Sequence, residues 1–295
     1  MDDRRKGKLL LALVLTTGMM VVEAFGGIWS GSLALLADAG HMLVDAMALL
    51  LAFMAAWLAT RPADARRSYG YGRMEVLAGF VNALTQLLLV AWIIYEAVTR
   101  LLHPNAILSG TMLVIAVIGL LVNILVLQVL QGHAHDDVNM AGATLHVLGD
   151  LLGSVAAIGA ALAIRAFGWL WADPVLSILV ALLILNSAWR LLRRSTHILL
   201  EGVPEGMDSA EVERILRGAD PCIGGIHHLH VWQVASGSRM ATLHVELREY
   251  ADAGRAMHLV QQILRERFDV QHVTIQVDQA DCPDRHQGCG EHGVP

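Results

Sequence analysis

His41 and Asp45, and again His146 and Asp150, stand four residues apart inside long apolar runs. In a helix that spacing puts both side chains on one face, so two such pairs can close a single four-coordinate cage. An ionised Asp in the middle of a membrane helix costs at least about 2.5 kcal/mol on insertion scales. Two of them, each beside an imidazole, point to a compensating cation: two carboxylates, two neutral imidazoles and one divalent ion sum to zero charge. Zinc accepts nitrogen and carboxylate ligands with no geometric demand of its own, whereas an oxygen-only cage favours harder ions. Zn2+ is the expected occupant.

The elements that must hold these pairs are membrane helices. Hydrophobic residues make up 55% of the 295, the mean hydropathy is +0.53, and the apolar residues crowd before residue 200. Six stretches, 9–28, 33–58, 76–98, 107–130, 140–164 and 174–191, are each as long as the roughly 18 residues a crossing needs. Basic residues before helix 1 (Arg4, Arg5, Lys6, Lys8), between helices 2 and 3 (Arg61, Arg66, Arg67, Arg73) and after helix 6 (Arg190, Arg193, Arg194) alternate with loops carrying only Arg100 and Arg165. By the positive-inside rule both termini are expected in the cytoplasm. The basic N-terminus and its apolar run resemble a signal peptide, but Glu23 and the Gly26-Gly27 pair follow without a cleavage site, so a retained first helix is expected. A net charge of −6, with most basic residues flanking the apolar runs, argues against a nucleic-acid partner. Cys222, Cys282 and Cys289, an odd number confined to the last third, fit a reducing compartment rather than a disulfide framework.

Helix 5 carries small residues at Gly149, Gly153, Ala157 and Ala161, a stripe that lets another helix approach closely. Helix 2 is the expected neighbour, because their contact would gather the four ligands. Asp38, two turns before Asp45, either assists release or caps the start of helix 2. Asn82, Gln86, Glu96 and Asn123 are polar positions in helices 3 and 4, the three amides being read as interhelical hydrogen-bonding residues rather than parts of a transport path, and Asp173 before Pro174 is read as an N-cap with Pro at the first helical position.

Beyond Gly202-Val203-Pro204 the pattern becomes that of a small soluble domain: an amphipathic helix over 207–218, strands over 226–234 and 240–247 joined by a hairpin at 235–238, a helix over 254–268 and a strand over 272–277. The order α-β-β-α-β predicts an α+β, ferredoxin-like sheet with helices on one face. His227, His228 and His230 on the first strand, His244 on the second, His258 on the helix and Asp278 after the last strand make this domain a second candidate for metal binding. Two further segments hold ligand-type residues: the loop with His133, His135, Asp136 and Asp137, which either concentrates metal or is simply a polar loop, and the tail with Cys282, His286, Cys289 and His292, which lacks tight CxxC spacing.

These motifs resemble the cation diffusion facilitators, in particular their bacterial zinc-exporting branch. The likeness rests on the two HxxxD pairs in helices 2 and 5, on residues 31–39 (GSLALLADA), on Ala172-Asp173-Pro174, and on Val231-Trp232 after His227-His228-Leu229-His230. The resemblance implies a homodimeric metal–proton antiporter alternating between inward and outward access, with its transport site at His41, Asp45, His146 and Asp150. Some members hold another site after helix 2 with one Asp and two His; here Asp64 remains, but Arg67 and Tyr71 occupy the His positions, which implies that the site is absent. The cytoplasmic ligand set carries over onto His227, His244, His258 and Asp278, while Gln276 replaces a His and implies a reduced rather than a binuclear site. The organisation expected is a six-helix transport domain at 1–200, a cytoplasmic metal-binding and dimerisation domain at 201–279, and a Cys/His tail at 280–295.

The function expected is efflux of zinc, and of cadmium or cobalt, across the bacterial inner membrane in exchange for protons. An imidazole titrates near pH 6.5 in general and must be neutral to hold a metal, so metal and proton compete for His41 and His146. A metal-dependent membrane enzyme would need further ligands and an open coordination position, and the chain has neither HExxH nor clustered HxxxH boxes. A membrane-anchored metal sensor is the other alternative.

Overall fold

A computed structural model of the chain describes residues 3–130, 138–235, 237–248 and 252–278, with side chains at residue 11, at 13–128 and within those ranges from 149 onward. Six long helices come first: α1 (Asp3–Ser30), α2 (Leu33–Ala59), α3 (Arg73–Leu102), α4 (Ser109–Leu130), α5 (Val138–Phe167) and α6 (Ala172–Leu199). All six contain a stretch long and apolar enough to cross a membrane. A bilayer core offers no water to the backbone, so a spanning segment must satisfy its N–H and C=O groups internally, as a helix does. Their outer faces present Phe25, Trp29, Phe53 and Leu88 in the open, which is stable where the surroundings are as apolar as the side chains. Then follow α7 (Ser209–Arg217), β1 (Ile223–Ala235), β2 (Ser238–Leu247), α8 (Ala253–Phe268) and β3 (Val270–Asp278), the α-β-β-α-β order expected.

Two compact units emerge, residues 1–51 with 81–192 and residues 52–80 with 193–295. In the first, α4 packs against α1 and α5. Met112 and Ala116 of α4 interlock with Ala157, Ala160 and Ala161 of α5 and with Leu35 of α2. A second cluster joins Ala37 of α2 to Val90 and Ile93 of α3 and to Ala181 and Ile184 of α6. The small-residue stripe thus serves α4 as well as α2: Ala157 and Ala161 lie in the shared cluster, while a Cβ on Gly153 would come 3.2 Å from both carboxylate oxygens of Asp38.

Asp173 corrects its expectation. It lies inside α6, which begins at Ala172, and its fully buried carboxylate caps a different helix. It accepts from Ser32 Oγ at 2.6 Å, Leu33 N at 2.7 Å and Ala34 N at 3.2 Å, with Arg100 Nη1 at 4.0 Å. The first-turn amides of a helix lack intrahelical acceptors and carry partial positive charge. Gly31, at φ +73°, turns the chain between α1 and α2, which lets Ser32 and Asp173 share that capping; Ser32 Oγ also accepts from Leu35 N. The start of α2 is therefore capped by Asp173 and Ser32, and Asp38 lies buried more than a turn further along the helix.

In the second unit β1 and β2 form an antiparallel hairpin closing at Ala235 and Ser238, and β3 joins β2 in parallel after α8. Along β2, Ala241, Leu243, Val245 and Leu247 are buried while Thr242, His244 and Glu246 are half-exposed. That alternation marks one core face and one open face. The core face packs against Val212 and Leu216 of α7 and Ala256, Val260 and Leu264 of α8, so both helices lie on one side. Asp208 and Asp252 cap those helices. Also in this unit, Arg73 pairs with Glu201 at 2.6 Å, and a Cβ on Gly72 would touch Ala235 and Val234.

Candidate metal centres

In the membrane unit, His41 Nε2 lies 3.6 Å from Asp45 Oδ2, as their spacing requires. Gln86 of α3 donates to the other oxygen, Asp45 Oδ1, at 3.1 Å, the interhelical bond expected of that amide; Asn123 of α4 likewise donates to Ser154 of α5 at 3.2 Å. Fixing one carboxylate oxygen orients the other, the usual work of a residue behind a metal ligand. Asp150 is buried on α5. The side chain of His146 lies outside the described residues, as do the loop 131–137 and the tail from 279 onward. Of the other three residues expected in the cage, His41 and Asp45 pair, and among the described residues Asp150 is not grouped with them by donor atoms within 4.8 Å.

Glu23, which in the sequence spoke only against a cleavage site, is a carboxylate of α1 that is 1% exposed. One of its oxygens rests where a Cβ on Gly119 of α4 would come within 2.7 Å. An ionisable residue inside a predicted span was the available signal.

The segment after α2 holds no histidine, and Asp64 is engaged otherwise. Its carboxylate accepts from Tyr71 Oη at 2.7 Å and from the amides of Arg66 and Arg67 at 2.7 and 2.8 Å, while the Arg67 guanidinium stacks on the Tyr71 ring. The Tyr71 hydroxyl first, and then the two amides, hold the Asp64 carboxyl below the usual carboxylate range. Because the folded pKa is lowered, this clasp favours the folded loop above the ordinary carboxylate pKa and is lost as pH falls through the lowered value. Tyr71→Phe is expected to move the Asp64 titration up toward the ordinary range, read from the carboxyl carbon chemical shift against pH. An unmoved midpoint would show that the two amides alone set it.

On the open face of the small sheet, Asp278 Oδ2 lies 3.1 Å from His227 Nε2 and 3.2 Å from His244 Nδ1. These three offer ligand atoms within 4.8 Å of one another, a group able to hold a metal ion. The strand register brings them together: His227 pairs with His244, His244 with Gln276, and Asp278 stands two residues along β3 on the same face. Gln276 Nε2 donates to Asp278 Oδ1 at 3.2 Å, leaving Oδ2 turned to the imidazoles. His258, expected as a fourth ligand, stands apart. Helix α8 packs through Ala256, Val260 and Leu264 on the core face, opposite the open face that carries the group, and His258 is exposed there, lining with His272 of β3 a cavity of about 510 Å3.

Residues 9–200 match the family described as cation efflux transmembrane domain, and residues 204–280 the one described as cation efflux protein, cytoplasmic domain. The chain is 45% identical over 295 residues to the zinc transporter ZitB of Escherichia coli (strain K12), covering 99% of this chain and 94% of that protein. It is 40% identical to the cadmium, cobalt and zinc/H(+)-K(+) antiporter of Bacillus subtilis (strain 168), over 94% of this chain and 90% of the other. With the metal cation efflux system protein CzcD of Cupriavidus metallidurans (strain ATCC 43123 / DSM 2839 / NBRC 102507 / CH34) it shares 41% identity, over 93% and 87% of the two chains.

Proposed function

The chain belongs to the cation efflux family of divalent-metal transporters, and from that premise we propose that it moves zinc, with cadmium and cobalt as further cargo, out of the cytoplasm across the inner membrane in exchange for protons. The observation that carries this reading is the His41–Asp45 pair inside a membrane helix, its carboxylate oriented by Gln86, with buried Asp150 on α5. His41, Asp45, His146 and Asp150 bind the cargo as two neutral nitrogens and two carboxylate oxygens, a set suited to zinc. Because an imidazole that carries a proton cannot hold the metal, proton entry on the outer side expels the cargo and proton loss on the inner side readmits it. The cage must then face each side in turn, which α2 and α5 accomplish by shifting against the other helices, as alternating access requires. Both termini and the soluble unit are cytoplasmic, and two copies associate through that unit. There His227, His244 and Asp278 take up metal and report its cytoplasmic level to the transport unit.

Uptake of labelled zinc into everted vesicles, driven by an imposed proton gradient, tests the reading. Binding without gradient-driven uptake would point instead to a sensor. His41→Asp leaves one nitrogen and three carboxylates, a harder cage with one more negative charge. It is expected to weaken discrimination against manganese and iron(II), measured by competition with labelled zinc; an unchanged competition profile would place selectivity elsewhere.

A further inference from the structure

We propose that His228 is a fourth ligand of the cytoplasmic centre, making it a three-imidazole, one-carboxylate site; this rests on the reading that His227, His244 and Asp278 take up metal. Consecutive residues of a regular strand point to opposite faces, so His227 and His228 should not meet the same partner. In β1 they do. The register runs from His227 opposite His244 to His230 opposite Thr242, three steps on β1 against two on β2. One residue is therefore extra, the signature of a bulge. Burial places the extra residue at His228: Ile226 and Val231 both lie in the core though five residues apart, and Leu229 packs beside them. Without the bulge, one of them would face the open side.

At the bulge His228 adopts φ +48°, a left-handed conformation that non-glycine residues seldom hold inside a strand and that tends to mark functional sites. The result is a tripod of rings, in which the nitrogens of His227 and His244 already group with Asp278 while the His228 ring must turn to bring a nitrogen to them. Centroids lie 5.3 Å apart for His227 and His228, 5.2 Å for His227 and His244, and 4.8 Å for His228 and His244. With metal–nitrogen bonds of about 2.0–2.1 Å and tetrahedral angles, three imidazoles on one zinc have centroids about 5 Å apart. Asp278 Oδ2, already beside two of the rings, supplies the oxygen. The backbone distortion thus provides the nitrogen that Gln276, opposite His244 in the neighbouring strand, does not.

The test uses the full-length protein in detergent with the membrane cage disabled by Asp45→Ala and Asp150→Ala, titrated with cobalt(II), whose visible absorption reports ligand number and type. His228→Gly is the informative change, because glycine keeps the left-handed bulge and removes only the ring. Cobalt and zinc affinity should fall by at least the roughly 10- to 100-fold that loss of an outer-shell partner costs. The tetrahedral cobalt spectrum should weaken as solvent replaces a nitrogen, and added imidazole should restore it. An unchanged affinity and spectrum in His228→Gly would overturn the assignment and leave a three-residue site. A parent protein that takes up no cobalt in the soluble unit would instead remove the cytoplasmic centre itself, a result separable from the first.

Discussion

Replacing Asp45 or Asp150 by alanine is expected to abolish metal transport while the protein still inserts and pairs. In the proposed cage each change would remove one ligand and one of the two charges that balance a divalent cargo in a low-dielectric setting. Breaking a buried charge pair by deleting one partner costs about 3–5 kcal/mol, which at 1.4 kcal/mol per decade is about 10²- to 10⁴-fold in cargo affinity. The helices should be indifferent to the loss: alanine is the best helix former, and the contacts that Asp45 makes with Gln86 and His41 are lateral ones between side chains. Gln86 would lose its acceptor, a smaller effect that Gln86→Leu in the same background would isolate. Proton-driven zinc flux within a few-fold of the parent in either variant would remove the cage from the account.

Asp173→Ala should have the largest effect on stability. The carboxylate is fully buried and satisfies the Ser32 hydroxyl and the first two amides of α2, with the Arg100 guanidinium alongside. Arg100 itself is tied to Glu96 and to the Gly31 carbonyl, so it cannot swing away to water without breaking those bonds. Alanine leaves the buried Ser32 and Leu33 donors unmet, while Arg100 keeps Glu96 as its partner. With about 1–3 kcal/mol per unsatisfied buried group, a loss of about 3–5 kcal/mol is expected, seen as a lower unfolding temperature in detergent. Asp173→Asn keeps one acceptor oxygen and should fall between. Transport should fall too, because the corner that fixes the start of α2 also fixes the register of His41 and Asp45 two to three turns along. An unfolding temperature unchanged in the alanine variant would mean that solvent replaces the carboxylate at that corner.

The sequence by itself determined what depends on local periodicity. Six apolar stretches of sufficient length become six helices because a bilayer leaves the backbone no other partner. HxxxD becomes a same-face pair because an α-helix turns 3.6 residues per cycle, and His41 with Asp45 shows it. The order of the soluble unit was likewise legible, from period-two and helical patterns bounded by Gly and Pro. Contacts between distant residues were not. Asp173 beside Pro174 reads locally as a cap for its own helix, yet it caps one that begins 140 residues earlier, since nothing in the sequence near a carboxylate says which distant amides it will meet. His258 has the right chemistry for the cytoplasmic centre, but α8 covers the core face of the sheet while the centre lies on the open face, and which face a helix covers is a tertiary quantity. One inserted residue decided the rest. Three histidines in His227-His228-Leu229-His230 look alike on paper, and a regular strand would place His228 and His230 together and His227 opposite. The bulge reverses that assignment by one step, joining His228 to His227 and His244, because in a strand a shift of a single residue exchanges the two faces.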